Sequence, residues 1–135
     1  MTISALEKWK LREKTMKLEE VRDILEAEVV WGSEYLCQEI EMACGSDLLS
    51  DVLAFTKAGT LLLTGLINPQ VIRTAEMVDI SAICFVRGKK PEKSTMELAK
   101  EKKIPLLCTK FPMYESCGKL YRNGLAGCSG VREEI

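Results

Sequence analysis

Arg87-Gly88-Lys89-Lys90-Pro91 is the stretch whose residue types most directly suggest chemistry. A glycine loop that carries cations and precedes a helix can hold an anion or a phosphate through amides and charge together. Residues 87–110 contain eight Lys or Arg against three Glu, in a chain of formal net charge −1. Lys100, Lys102 and Lys103 fall on a helical pattern and are expected to be solvated, which leaves Arg87, Gly88, Lys89 and Lys90 as candidates for an anion. A second group is Gly45-Ser46-Asp47, where Ser46 and Asp47 could meet a ligand, although the same residues make an ordinary N-cap worth about 1 kcal/mol. A third comprises Thr64, Gly65 and Asn68 after one apolar run and Thr109 after another. Thr64 and Thr109 occupy equivalent positions and would point into one crevice, while turn and capping chemistry is their simpler role. With neither a Walker A motif nor G-x-G-x-x-G, such a site would bind without hydrolysing.

Other chemistries are excluded by what the sequence lacks. There is no histidine, so Ser-His-Asp and Cys-His catalysis and His-ligated metals are out of reach. The six cysteines are Cys37, Cys44, Cys84, Cys108, Cys117 and Cys128, and none forms the two-residue spacing common in zinc and iron–sulfur sites. Cys84 and Cys108 sit in apolar runs, where cysteine acts as a small hydrophobe. Free thiols and no cofactor are expected, with Cys117 and Cys128 the two worth testing for metal or redox chemistry.

These residues are positioned by a repeated pattern. Apolar runs begin at Thr60, Ala82 and Ile104, 22 residues apart each time. Each run leads through a few loop residues to a proline, Pro69, Pro91 or Pro112, and then to a helical stretch. Proline suits a first helical turn because its missing N–H would have had no partner there. Buried strand, loop and helix in repetition predict an α/β fold, a three-layer Rossmann-like βαβαβα arrangement around a parallel sheet. Ligands bind such sheets beyond the carboxyl ends of the strands, where helix N-termini favour anions.

Upstream, Leu18, Val21, Ile24 and Leu25 mark a helix, Glu28–Trp31 a short strand, and the alternation over 38–44 a half-exposed strand, from which a short N-terminal β-pair is expected. Asp47 or Ser46 would cap an amphipathic helix over 48–55, Asn68 the helix from Pro69, and Ser94 with Glu97 would form a capping box. The last helix is expected from Pro112 to Arg122, stopped by Gly124. Three segments follow: an N-terminal extension over 1–15, with Ile3, Leu6 and Trp9 at helical spacing, a folded module over 16–125, and a loose tail over 126–135.

At 135 residues, 47% apolar and 29% charged, the chain has the size and composition of one soluble domain. Its charge balance gives no basic field for nucleic acid, and no run is long enough to span a membrane. The first residues lack the apolar core of a secretory signal, so a cytoplasmic protein is expected.

In the order and spacing of its segments the chain resembles the DRTGG domain. The resemblance spans roughly residues 16–125 and rests on residues 16–21, 45–54, Thr64-Gly65-Leu66 with Asn68-Pro69, 87–91 and 98–107. The Asp-Arg part of the name motif matches Asp47-Leu48, without the arginine, and the Thr-Gly-Gly part matches Arg87-Gly88-Lys89, with one glycine. The resemblance implies a fold like the N-terminal domain of HPr kinase and a regulatory or assembly role, not a catalytic one. Family members are fused to phosphotransacetylases and to CBS-containing pyrophosphatases, which implies an adenine nucleotide or acyl phosphate as ligand. Stand-alone copies occur near iron-only hydrogenase genes, which implies a homo-oligomer or a subunit of a larger redox complex. An iron–sulfur carrier or a small enzyme is the alternative, and the two Trp residues, Trp9 and Trp31, supply apolar surface for a partner.

Overall fold

A computed structural model describes residues 15–129. The chain runs β1 (Met16–Lys17), α1 (Leu18–Ile24), β2 (Glu28–Trp31), a 3-10 turn (Ser33–Tyr35), β3 (Glu39–Ile40) and β4 (Met42–Gly45). It continues through α2 (Leu49–Phe55), β5 (Thr60–Thr64), α3 (Gln70–Met77), β6 (Ala82–Phe85), α4 (Lys93–Lys102), β7 (Leu106–Cys108), α5 (Met113–Arg122) and β8 (Ala126–Gly127). The six-stranded sheet has the order β2-β7-β6-β5-β4-β8, and β1 pairs with β3 in a separate antiparallel ribbon. Strands β4 to β8 are mutually parallel and β2 closes one edge antiparallel to β7. The expected α/β architecture and a short N-terminal β-pair are both present, but the pair is β1 with β3, while Glu28–Trp31 joins the edge of the main sheet.

Connection handedness explains the layers. Three successive crossovers step in one direction from β4 to β5, β6 and β7, and since parallel connections are right-handed by rule, α2, α3 and α4 share one face, as their common core cluster shows. After β7 the chain returns to the far edge to form β8 beside β4, and the reversed direction puts α5 on the opposite face with α1. The inner strands are buried on both sides, as a parallel sheet requires: Leu61, Leu63, Ala82, Cys84 and Leu107 meet α1 and α5, and Leu62, Ile83, Phe85 and Leu106 meet α2–α4.

Several local expectations are corrected. The alternating stretch 38–44 is two strands: Glu41 turns its N–H to the Gly59 carbonyl (3.0 Å), so β3 pairs with β1 while β4 joins the main sheet. The tail expected to be loose from residue 126 opens as a strand, because Ala126 and Gly127 pair with the otherwise open edge of β4. Ser94 does not cap a helix, since α4 already begins at Lys93 with Glu92 in the capping position. The extension over 1–15 and the end of the tail lie outside the described residues, save Thr15.

Candidate functional site

The carboxyl ends of β4, β5 and β6 bring together Asp47, Thr64, Gly65 and Arg87. Asp47 does not cap α2, whose N-cap position is Leu48. Its Oδ1 instead accepts from the Thr64 hydroxyl (3.0 Å) and from the Gly65 N–H (2.6 Å). The capping-type bond at this turn belongs to Ser46, whose Oγ accepts from the Leu48 N–H (3.0 Å). Thr64 is therefore bridged, donating to Asp47 and accepting from the Leu66 N–H (3.1 Å).

Arg87 reaches across from the end of β6 and places Nη2 3.7 Å from Asp47 Oδ2. Both side chains are close to half exposed, 48% and 42%, so the pair adds at most about 1 kcal/mol to stability and both groups stay within reach of solvent. Gly65 makes room for it: a Cβ there would fall 2.2 Å from Arg87 Nη2 and 3.0 Å from Cζ. This close approach, not a special φ, is what calls for glycine at that position.

A tight turn fixes where Arg87 starts. Arg87 and Gly88 have φ of 60° and 68°, and the Lys89 N–H closes on the Val86 carbonyl (3.1 Å), the pattern of a type I′ turn. Arginine is an unusual choice for a left-handed position, which costs a residue with a Cβ about 1–2 kcal/mol. The turn is held because its two amides reach the next loop: Arg87 N–H donates to the Phe111 carbonyl and Gly88 N–H to the Thr109 carbonyl, both at 2.9 Å.

Those two bonds correct the expectation of one open crevice lined by every loop. The loops after β6 and β7 lead to helices on opposite faces, and there a doubly wound sheet would gape. Here the turn bridges the gap, and its amides are spent. Thr109 lies beneath it, 2% exposed, and donates its hydroxyl to the Leu25 carbonyl (2.7 Å), so it fastens the end of α1 instead of facing a ligand. Asn68 accepts from the Gln70 N–H (3.0 Å), the cap role expected of it. Lys90 pairs with Glu28 of β2 (2.6 Å), a hydrogen bond that also raises its pKa, and Lys89 is exposed. Glu28 and Phe111 escape a sequence reading, since their contacts span long stretches of chain and neither belongs to a motif.

The cysteines divide between the faces. Cys84 is fully buried, and burial pushes its thiol up, as it pushes Cys108 up to about 11. Gly45 faces α5, since a Cβ there would fall 2.6 Å from Cys117 Sγ. Cys44 is one residue earlier and points to the other face, toward Asp51 of α2. Among the described residues no three metal-binding side chains converge.

Comparison with known proteins points to one domain family and to solved structures of like fold. The profile of the DRTGG domain matches residues 20–122. No curated protein sequence matches the chain. A solved structure of the CBS and DRTGG domains of the regulatory region of Clostridium perfringens pyrophosphatase, complexed with its activator diadenosine tetraphosphate, superposes with a TM-score of 0.65. That likeness has 15% identity, covers 99% of this chain and 56% of the other, and shows the fold. The chain thus spans about half the length of that regulatory region. With the profile running from α1 through α5, over most of its length, the chain belongs to the DRTGG domain family.

Proposed function

We propose that this domain is a regulatory module, acting without catalysis, that takes up a phosphate-bearing metabolite over the carboxyl ends of β4, β5 and β6. The observation that carries the reading is the Arg87–Asp47 pair: a guanidinium, half exposed and at 3.7 Å only loosely engaged, seated on a glycine-floored shelf. A phosphate offers that guanidinium a bidentate partner of higher charge than a single carboxylate. Lys89 adds a cation from the same turn, and Arg87 takes the place of the arginine missing from the motif at Leu48. An adenine nucleotide is the ligand class the reading favours, because the pyrophosphatase regulatory region of like fold binds diadenosine tetraphosphate. An acyl phosphate is the next choice. Binding proceeds without turnover, for want of a histidine base or a Walker lysine.

The same reading places the domain in the cytoplasm, as a homo-oligomer or a subunit of a redox complex such as a hydrogenase system. It assigns no iron–sulfur cluster. Supporting that, Cys84 and Cys108 fill the core, and Cys117 lies across the sheet from Cys44. A thermal-shift series with AMP, ADP, ATP, diadenosine tetraphosphate and acetyl phosphate tests the ligand. At least one is expected to raise the melting temperature of the parent chain, with the rise lost in Arg87→Ala/Lys89→Ala. No rise with any of them at millimolar concentration overturns the reading and leaves protein–protein contact as the domain's work.

A further inference from the structure

The two cysteines that frame the β8 edge of the sheet, Cys44 and Cys128, lie outside this site, and their placement has a consequence of its own. Strand β8 runs parallel to β4 with Met42 opposite Ala126 and Ala43 opposite Gly127. Cys44 is the next residue of β4, and Cys128 is the first residue after β8, where the chain enters a turn. Neighbouring strands lie about 5 Å apart, so the two residues that leave this pairing together start within the span a disulfide bridges. The Cys128 sulfur is also close enough to Cys44 to help raise its pKa. Gly45 faces Cys117, and successive residues of β4 alternate between faces, so Cys44 and Cys117 project to opposite sides of the sheet. Neither Cys44 nor Cys128 is fully buried, whereas Cys84 and Cys108 are enclosed in the core.

We propose that Cys44 and Cys128 form a reversible disulfide that locks β8 to the sheet edge, made by exchange with a small-molecule disulfide of the glutathione class. The exchange begins at Cys128. Its thiolate attacks one sulfur of the oxidant, forming a mixed disulfide on Cys128 and releasing one thiolate. Cys44 then gives up its proton, attacks the Cys128 sulfur and expels the second. The protein loses two electrons and two protons, and the oxidant is reduced to two thiols. The order follows from environment. Burial, with the Cys128 and Cys117 sulfurs and Asp51 nearby, holds the Cys44 thiol protonated, so it is the resolving group and not the first attacker. Ring closure therefore gains speed as pH rises. Functionally, β8 is an edge strand of two residues held through β4 alone, and the cross-link would make that edge permanent while the oxidised state lasts.

The full chain, reduced and then equilibrated with oxidised glutathione, provides the test. Free thiols are expected to fall from six to four, with a peptide map joining Cys44 to Cys128 and sedimentation showing no cross-linked dimer. Cys117→Ser should close the same bond. Cys44→Ser should stop at a glutathione adduct on Cys128, and Cys128→Ser should give neither product at these two positions. Six thiols remaining in the parent chain, a stable glutathione adduct in place of the bond, or a bond that uses Cys117 would each overturn the proposal.

Discussion

Asp47 shows how far a residue's role depends on where the chain brings it. Read along the sequence, it is an N-cap candidate one residue before a helix. In the fold its carboxylate turns back over β5 to take the Thr64 hydroxyl and the Gly65 amide, and then meets Arg87. Gly65 is the sensitive point of that arrangement. In Gly65→Ala the new methyl would collide with the guanidinium, the mobile end of a long side chain, and not with backbone. Fold stability is therefore expected to change by no more than about 1 kcal/mol, the scale of an exposed ion pair. Anion binding should weaken sharply, because Arg87 is pushed off its shelf. Urea titration and thermal shift with nucleotide read the two effects separately, and equal loss of both would show Gly65 to be a packing residue only. The buried thiols give a pH signature of their own. Cys108 holds its proton up to about 11 when folded, against 9.0 as an ordinary thiol, so the unfolded chain releases its proton first as pH rises. Stability from this group is fully present below pH 9.0 and declines from there to about pH 11. The loss is on the order of 1 kcal/mol for each pH unit in that window. Urea midpoints on either side of pH 9.0 should show the drop, and Cys108→Ala should reduce it, the rest of the decline coming from the other raised thiols, Cys84 and Cys44.

At the scale of elements, the turn after β6 carries two burdens that substitution can separate. It must hold two consecutive left-handed residues, and it must launch a guanidinium. Asparagine tolerates the left-handed region and forms type I′ turns well when glycine follows. Arg87→Asn should therefore keep or slightly raise the melting temperature while abolishing the response to nucleotide. A fall of more than a few degrees would mean that the guanidinium, not the turn, holds this corner together. Thr109 should behave oppositely. Thr109→Val strips partners from the Leu25 carbonyl and the Phe111 N–H in a closed interior, at a cost of about 1–3 kcal/mol, with nucleotide affinity unchanged in the folded fraction. The elements themselves were legible where local pattern decides them. Three apolar runs 22 residues apart, each followed by a proline, announce β5, β6 and the last inner strand with their helices. Pairings made across the chain were not. Nothing local tells that β2 turns antiparallel at the edge, that Glu41 breaks a strand, or that Ala126 and Gly127 find β4. The site followed the same division. Asp47, Thr64 and Arg87 were visible as candidates from residue type, but their convergence depends on sheet order. The loss of Thr109 from the set depends on two loop-to-loop hydrogen bonds that have no sequence signature.

At the scale of the whole molecule, four of the six large exposed apolar side chains among the described residues lie on α2, its N-cap and α3. Leu48, Leu53, Phe55 and Met77 are all exposed, and Phe55 (65%) and Met77 (70%) stand at the carboxyl ends of the two neighbouring helices. Both helices belong to the layer that also carries α4, away from α1 and α5. A regulatory domain that senses a ligand at the strand ends needs a surface through which to report it. The two helices connect the site to this face: α2 begins next to Asp47 and α3 shortly after Thr64, and Phe55 and Met77 stand at their opposite ends. If two copies meet here, Phe55 and Met77 are the anchors, and truncated anchors in an interface centre cost about 2 kcal/mol or more each. Phe55→Asp/Met77→Asp should then raise the dimer dissociation constant by roughly 1,000-fold or more, with circular dichroism and melting of the monomer unchanged because both side chains are exposed. Sedimentation velocity across a concentration series reads this directly. A parent chain that stays monomeric at high concentration would exclude self-association through this face, and a dimer indifferent to the double substitution would move the interface to the exposed tyrosines of α5, Tyr114 and Tyr121.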